Sequence, residues 1–208
     1  MTHTLHRQGT EENLSHDYCV LAISAFGYND EGSGKEIEKV KKIMQKYNPT
    51  NFGDIKRGNM YSESLEYINQ ETEDRTVAHA VYTDIDDLKN VLNDLTEADT
   101  GLSIVVSGLF DDVGKCCKEN GLKSHTVNYS LGIHGQKNLL PDSSILEIST
   151  MCGHGMISAN LIRRMVKKIE AGTIKPIDGA KELAKQCICG LLNVDRAEKL
   201  LSKLANKE

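Results

Sequence analysis

Tryptophan is absent from the 208 residues, proline occurs only 3 times, and no long hydrophobic run interrupts the chain. A membrane-spanning helix needs roughly 20 consecutive apolar residues, so none is expected. The polar opening MTHTLHRQGTEEN lacks the apolar core of a secretion signal, and the expected location is cytoplasmic. A positive excess is missing too: 25 basic residues face 30 acidic ones, for a formal net charge of -5. That balance gives a phosphate backbone no general attraction, although residues 35–46 and 163–168 are locally basic. Nucleic acid and membrane are therefore not expected partners. With repeats and low-complexity tracts also lacking, the chain is long enough for one sizeable core. The expected organisation is a single α/β domain over residues 1–208 with a helical subregion at 156–208.

Signatures of several common chemistries are missing as well. GxGxxG, HExxH and GxSxG do not occur, and GSGK at residues 32–35 lacks the upstream glycine and the following Ser or Thr of a phosphate loop.

What is present is an alternation of strand-like and helix-like segments. Residues 18–26 (YCVLAISAF), 77–82, 102–106, 125–131 and 145–150 read as strands. Helices are expected over 35–47, from 83 or 84 to 98, and over 111–120, with a short one about 63–68 in an otherwise weakly patterned stretch, 51–74. In the C-terminal third, Ser158 caps a helix carrying Leu161, Ile162, Met165, Val166 and Ile169 on one face, and two more follow Pro176 and Asn193. Strand–helix alternation of this kind predicts crossover units on a mainly parallel or mixed sheet covered by helices, with a C-terminal helical cluster. Strand order is open, and so is a split ferredoxin-like arrangement.

The 6 cysteines, in a chain without a secretion signal, point to core thiols, catalytic thiols or metal ligands rather than disulfides. Two clusters carry the chemistry. MCGHGMIS (residues 151–158) places Cys152 and His154 among glycines ahead of a helix start, where a positive dipole end favours thiolate. QCICG (residues 186–190) places Cys187 and Cys189 in an interhelical loop, where both sulfurs reach one centre only if the backbone is irregular. Cys19 is expected in the core, with Cys117 buried and Cys116 outside. The arm HTLHRQG brings His3, His6 and Arg7, whose guanidinium suits a carboxylate or phosphate. His125 and His134 are candidate proton carriers, and His79 is expected to pack within its strand.

Met151-Cys152-Gly153-His154-Gly155 resembles the segment around one catalytic cysteine of the proline racemase family, whose members use two opposed thiols. The resemblance is confined to those residues. The family's second, DRSPCGTG-like segment has no counterpart here and the chain is shorter, so the resemblance implies only that Cys152 is reactive.

Together these features predict a metal- or iron-sulfur-dependent enzyme acting on a small anionic metabolite, with lyase, hydratase or desulfurase chemistry. Cys152, Cys187 and Cys189 would hold a 4Fe-4S cluster, or with His154 a zinc ion. His154 or His125 would move a proton and Arg7 would fix the anion. Two alternatives stand beside it: a metal-free thiol enzyme using Cys152, and a non-catalytic metal- or sulfur-binding regulatory or delivery protein. Homo-oligomerisation is left open.

Overall fold

The structure is a computed structural model describing residues 3–206. Along the chain lie α1 (Glu11–Leu14), β1 (Tyr18–Ile23), α2 (Ser33–Gln45), β2 (Asn51–Asp54), β3 (Gly58–Asn59), α3 (Leu65–Ile68), β4 (Val77–Tyr82), α4 (Ile85–Ala98) and β5 (Ser103–Ser107). Then follow α5 (Phe110–Glu119), a 3-10 turn (Lys137–Leu139), α6 (Ser143–Ser149), α7 (Ala159–Glu170), α8 (Pro176–Ala184) and α9 (Val194–Ala205). None of the helices among the described residues is long and apolar enough to cross a membrane.

The strands form one five-stranded sheet in the order β3-β2-β4-β1-β5, and every pairing is antiparallel. This corrects the expected parallel or mixed sheet. The crossovers through α2 and α4 exist, but each skips over a neighbour: β4 lies between β1 and β2, and β1 lies between β4 and β5. Two interleaved crossovers of this kind make the split βαβ arrangement, in which alternating strands and helices build an antiparallel sheet.

Side-chain alternation in the strands divides the interior into two cores. Tyr18, Val20, Ala22, Ala78, Ala80 and Tyr82 face α2 and α4, whose Ile37, Val40, Met44, Leu88 and Val91 are fully buried against them. Cys19, Leu21 and Val81 face the other way, onto Ile148, Ile162, Leu183, Leu191 and Leu201 of the C-terminal helical layer. Burying each such aliphatic side chain contributes about 1.5–3 kcal/mol, so both faces of the sheet are strongly committed.

Two expected strands are not strands. Residues 145–150 belong to α6, because Ile145 and Ile148 stand one helical turn apart and are both buried with Met151. Residues 125–131 run without regular structure; Val127, Tyr129 and Leu131 alternate but are exposed, so no core face rewards pairing. Conversely, β2 and β3 lie where the sequence is too polar to suggest strands. Their polar residues are buried but partnered: Asn51 Nδ2 donates to the Leu192 carbonyl at 3.0 Å, and Asp54 meets Lys41 Nζ at 2.5 Å. Cys116 is buried and Cys117 half-buried, the reverse of expectation.

Candidate metal centre

Three segments distant in sequence meet on the sheet face that carries Cys19, Leu21 and Val81. The first is the turn between α8 and α9. After Ala184 the chain folds back, the Gly190 N–H donating to the Cys187 carbonyl at 2.8 Å, with Gly190 at φ +78°. The irregular backbone turns Cys187 and Cys189 to the same side, their sulfurs 3.9 Å apart and both buried. Asn59 on β3 fixes this turn by donating from Nδ2 to the carbonyls of Cys187 (2.9 Å) and Ala184 (3.1 Å). Gly53 on β2 allows the close approach, since a Cβ there would lie 2.8 Å from the Cys189 carbonyl oxygen.

The second segment is MCGHGMIS, linking α6 to α7. Ser158 caps α7 as expected, accepting from the Leu161 N–H. Cys152, however, lies outside the first turn of α7, where the dipole acts, since the helix is capped only at Ser158. Its hydrogen bond with Cys187, and then burial, raise the Cys152 thiol far above the usual range, so it is not poised as a thiolate. The Cys187 thiol is lowered by Cys152, but its hydrogen bond with Cys189 and burial outweigh that and push it up to about 12. The residue beside His154 is Cys189 rather than Cys152, with Sγ 3.6 Å from His154 Nδ1.

The third segment is the N-terminal arm, which threads between β5 and α6. Thr4 Oγ1 meets Ser107 Oγ at 2.6 Å, and the Gln8 N–H donates to Thr150 Oγ1 at 3.0 Å. The arm lies so close to residue 153 that a Cβ there would stand 1.5 Å from the His3 carbonyl oxygen. This contact sets the His3 ring on the His154 ring, their centres 4.5 Å apart and nearly parallel. Gly153→Ala should therefore dislodge the arm and lower metal affinity at least tenfold. Metal titration against a chelator, with circular dichroism confirming retained helix, checks it; unchanged affinity would show that His3 is not held by this contact.

The outcome is a group of one thiol and two imidazoles, Cys189, His3 and His154, with donor atoms all within 4.8 Å of one another. For metal–sulfur and metal–nitrogen bonds of about 2.3 and 2.0–2.1 Å, a tetrahedral ion separates sulfur from nitrogen by about 3.5 Å. The Cys189–His154 separation matches this. Cys189 and the half-buried His3 lie inside while His154 is exposed, leaving an approach from solvent.

No family model matches the chain, and no curated protein and no solved structure is significantly similar to it.

The site geometry corrects the expected 4Fe-4S cluster and the iron-based lyase chemistry attached to it. An iron-sulfur cube separates its thiolates, whereas the buried Cys187 and Cys189 sulfurs lie only 3.9 Å apart, with buried Cys152 adjoining Cys187. The group that converges is a mononuclear His/His/Cys set. Arg7 is committed elsewhere: its guanidinium binds Asp17 Oδ1 at 2.5 Å and the Leu191 carbonyl. His125 is exposed, with Nδ1 2.7 Å from the neighbouring Thr126 hydroxyl. His134 is also exposed, against the Leu131 carbonyl, and Cys19 lies in the core.

A further imidazole completes the setting. His79 on β4 is 1% exposed, its ring centre 5.7 Å from that of His3 at an interplanar angle of 64°. Neither of its nitrogens has a hydrogen-bond partner among the described residues. Burial, reinforced by His3, pushes its pKa down to about 3, and burial also lowers His3 and His154. Because the folded values lie below the ordinary 6.5, the unfolded chain binds more protons under acid conditions. The stability that His79 contributes without metal is thus complete above about pH 6.5 and declines as pH falls towards 3, with a slope of up to about 1.4 kcal/mol per pH unit. Urea unfolding across that window should show a shallower acid decline in His79→Phe than in wild type; parallel curves would contradict the assignment.

Proposed function

We propose that the protein binds a single zinc-type metal ion through His3, His154 and Cys189, and that the ion fastens the N-terminal arm to the C-terminal helical layer. The convergence of those three donor atoms within 4.8 Å is the observation that carries the reading. Mixed imidazole and thiolate donors suit a borderline-soft divalent ion, whereas calcium and magnesium require oxygen. The unpartnered, buried Nε2 of His3 supports it, since an orphaned buried nitrogen is costly unless something occupies its lone pair or takes its hydrogen bond.

Metal holding is favoured over turnover. A surface cleft of about 420 Å³ is lined by Arg7, Gln8, Gly9, Thr10, Ser143 and Glu147, none of which is a donor to the ion. The Arg7 guanidinium that was to grip an anionic substrate is occupied by Asp17. A metal-binding regulatory or delivery protein fits these placements.

Zinc titration in competition with a chromophoric chelator tests the proposal. One ion per chain is expected, with binding lost or greatly weakened in His154→Ala, a surface replacement that spares the core. Absence of binding in wild type, or undiminished affinity in His154→Ala, would overturn it.

A further inference from the structure

We propose that His79 is the fourth ligand of this ion, closing the site as a three-imidazole, one-thiolate centre; the inference rests on the metal reading above. His79 lies opposite Gly53 in the β4–β2 pair, and opposed residues in an antiparallel pair project to the same face. That face carries the cysteine turn, because a Cβ on Gly53 would touch the Cys189 carbonyl. The ring of His79 therefore lies on the sheet face that carries the cysteine turn, beside His3.

Distance decides how much must move. Two imidazoles on one tetrahedral ion have ring centres about 5 Å apart, given metal–nitrogen bonds of 2.0–2.1 Å. His3 and His79 are separated by 5.7 Å, edge to face, and His3 and His154 by 4.5 Å. His79 stands outside the group within 4.8 Å, and its ring would have to close on that of His3 by under about 1 Å for the two to share an ion. The competing candidate is Cys187, whose sulfur is 3.9 Å from that of Cys189. Cys187 already has the Cys189 sulfur as a hydrogen-bonding neighbour, whereas neither buried nitrogen of His79 has a hydrogen-bond partner among the described residues. A buried imidazole with nothing to bind is the group an ion satisfies.

Cobalt(II), which reports tetrahedral geometry and thiolate ligation in its visible and near-ultraviolet absorption, is the probe, added to the full chain. Wild type should bind one cobalt with tetrahedral band intensity and charge transfer from a single thiolate. His79→Phe, similar in size but without donors, should keep the thiolate band, lose tetrahedral intensity as water enters, and bind at least tenfold more weakly. Cys187→Ala should leave the spectrum unchanged. An unaltered spectrum and affinity in His79→Phe, or loss of half the thiolate band in Cys187→Ala, overturns the assignment while leaving the metal reading intact. No cobalt or zinc binding by wild type overturns both.

A second measurement does not depend on the variant folding. In long-range proton–nitrogen spectra of wild type, zinc should shift a ring nitrogen in three histidines; a shift in only two contradicts the role of His79.

Discussion

Cys189→Ala is expected to lose metal affinity by more than about 100-fold, beyond the 10- to 100-fold typical of removing a group that only supports a ligand. Cys189 supplies the thiolate of the donor set, and no other sulfur stands within reach of both His3 and His154 among the described residues. The neighbouring Cys152 and Cys187 are not among the donors that converge on the site. The fold should survive, because Ala fills part of the same space and the turn is fixed through backbone carbonyls by Asn59. Zinc titration beside thermal unfolding separates the two effects; near-wild-type affinity with a folded protein would exclude Cys189 as a ligand. Affinity should also fall in acid, since metal uptake requires neutral imidazoles. Burial lowers the pKa values of His3 and His154, which favours the neutral imidazoles a metal requires.

Asp17→Ala is expected to destabilise the protein by about 3–5 kcal/mol, the cost of leaving buried charge uncompensated. Asp17 sits just ahead of β1 with its side chain fully buried, accepting from Arg7 Nη1 on Oδ1 and from Arg196 Nη1 on Oδ2 at 2.7 Å. Asn193 Nδ2 adds a third donor at 3.1 Å. Arg7 is held charged because Asp17 outweighs the burial that opposes its charge. Removing the carboxylate strands two guanidiniums, one on the arm and one on α9, in a region closed to water. The same variant should weaken metal binding, since Arg7 anchors the arm only a few residues beyond His3. Urea denaturation measures the first effect through the midpoint at constant slope. A loss below about 1 kcal/mol would show that water reaches the guanidiniums.

Much of the fold was legible because apolar periodicity is strong where it matters. β4 lies at residues 77–82 as read, and the caps at Asp84 and Ser158 form as their side chains suggested. The antiparallel order was not legible, because two crossovers that skip a neighbour look the same along the chain as two that do not. Residues 51–59 hid two strands since Asn51, Asp54 and Asn59 are buried by partners contributed from elsewhere, which no local pattern reveals.

The site was half legible. His154 and Cys189 stood in the glycine-rich motifs that drew attention, and the irregular CICG turn brings its sulfurs together. His3 was visible only as part of a polar arm, and its role depends on the contact over Gly153. His79 looked like a strand residue and is one; the signal that distinguishes it is the imidazole on a face otherwise occupied by Leu21 and Val81. Cys152 was misleading because nearness in sequence to a helix start did not place its thiol at the dipole.

X-ray absorption at the metal edge of the zinc-loaded protein tests the central claim most directly, because it counts ligand types without altering the chain. One sulfur near 2.3 Å, with the remaining ligands nitrogen at about 2.0–2.1 Å and imidazole outer-shell scattering, is the predicted result. Two or more sulfurs, or none, would contradict a centre built on Cys189 and histidines.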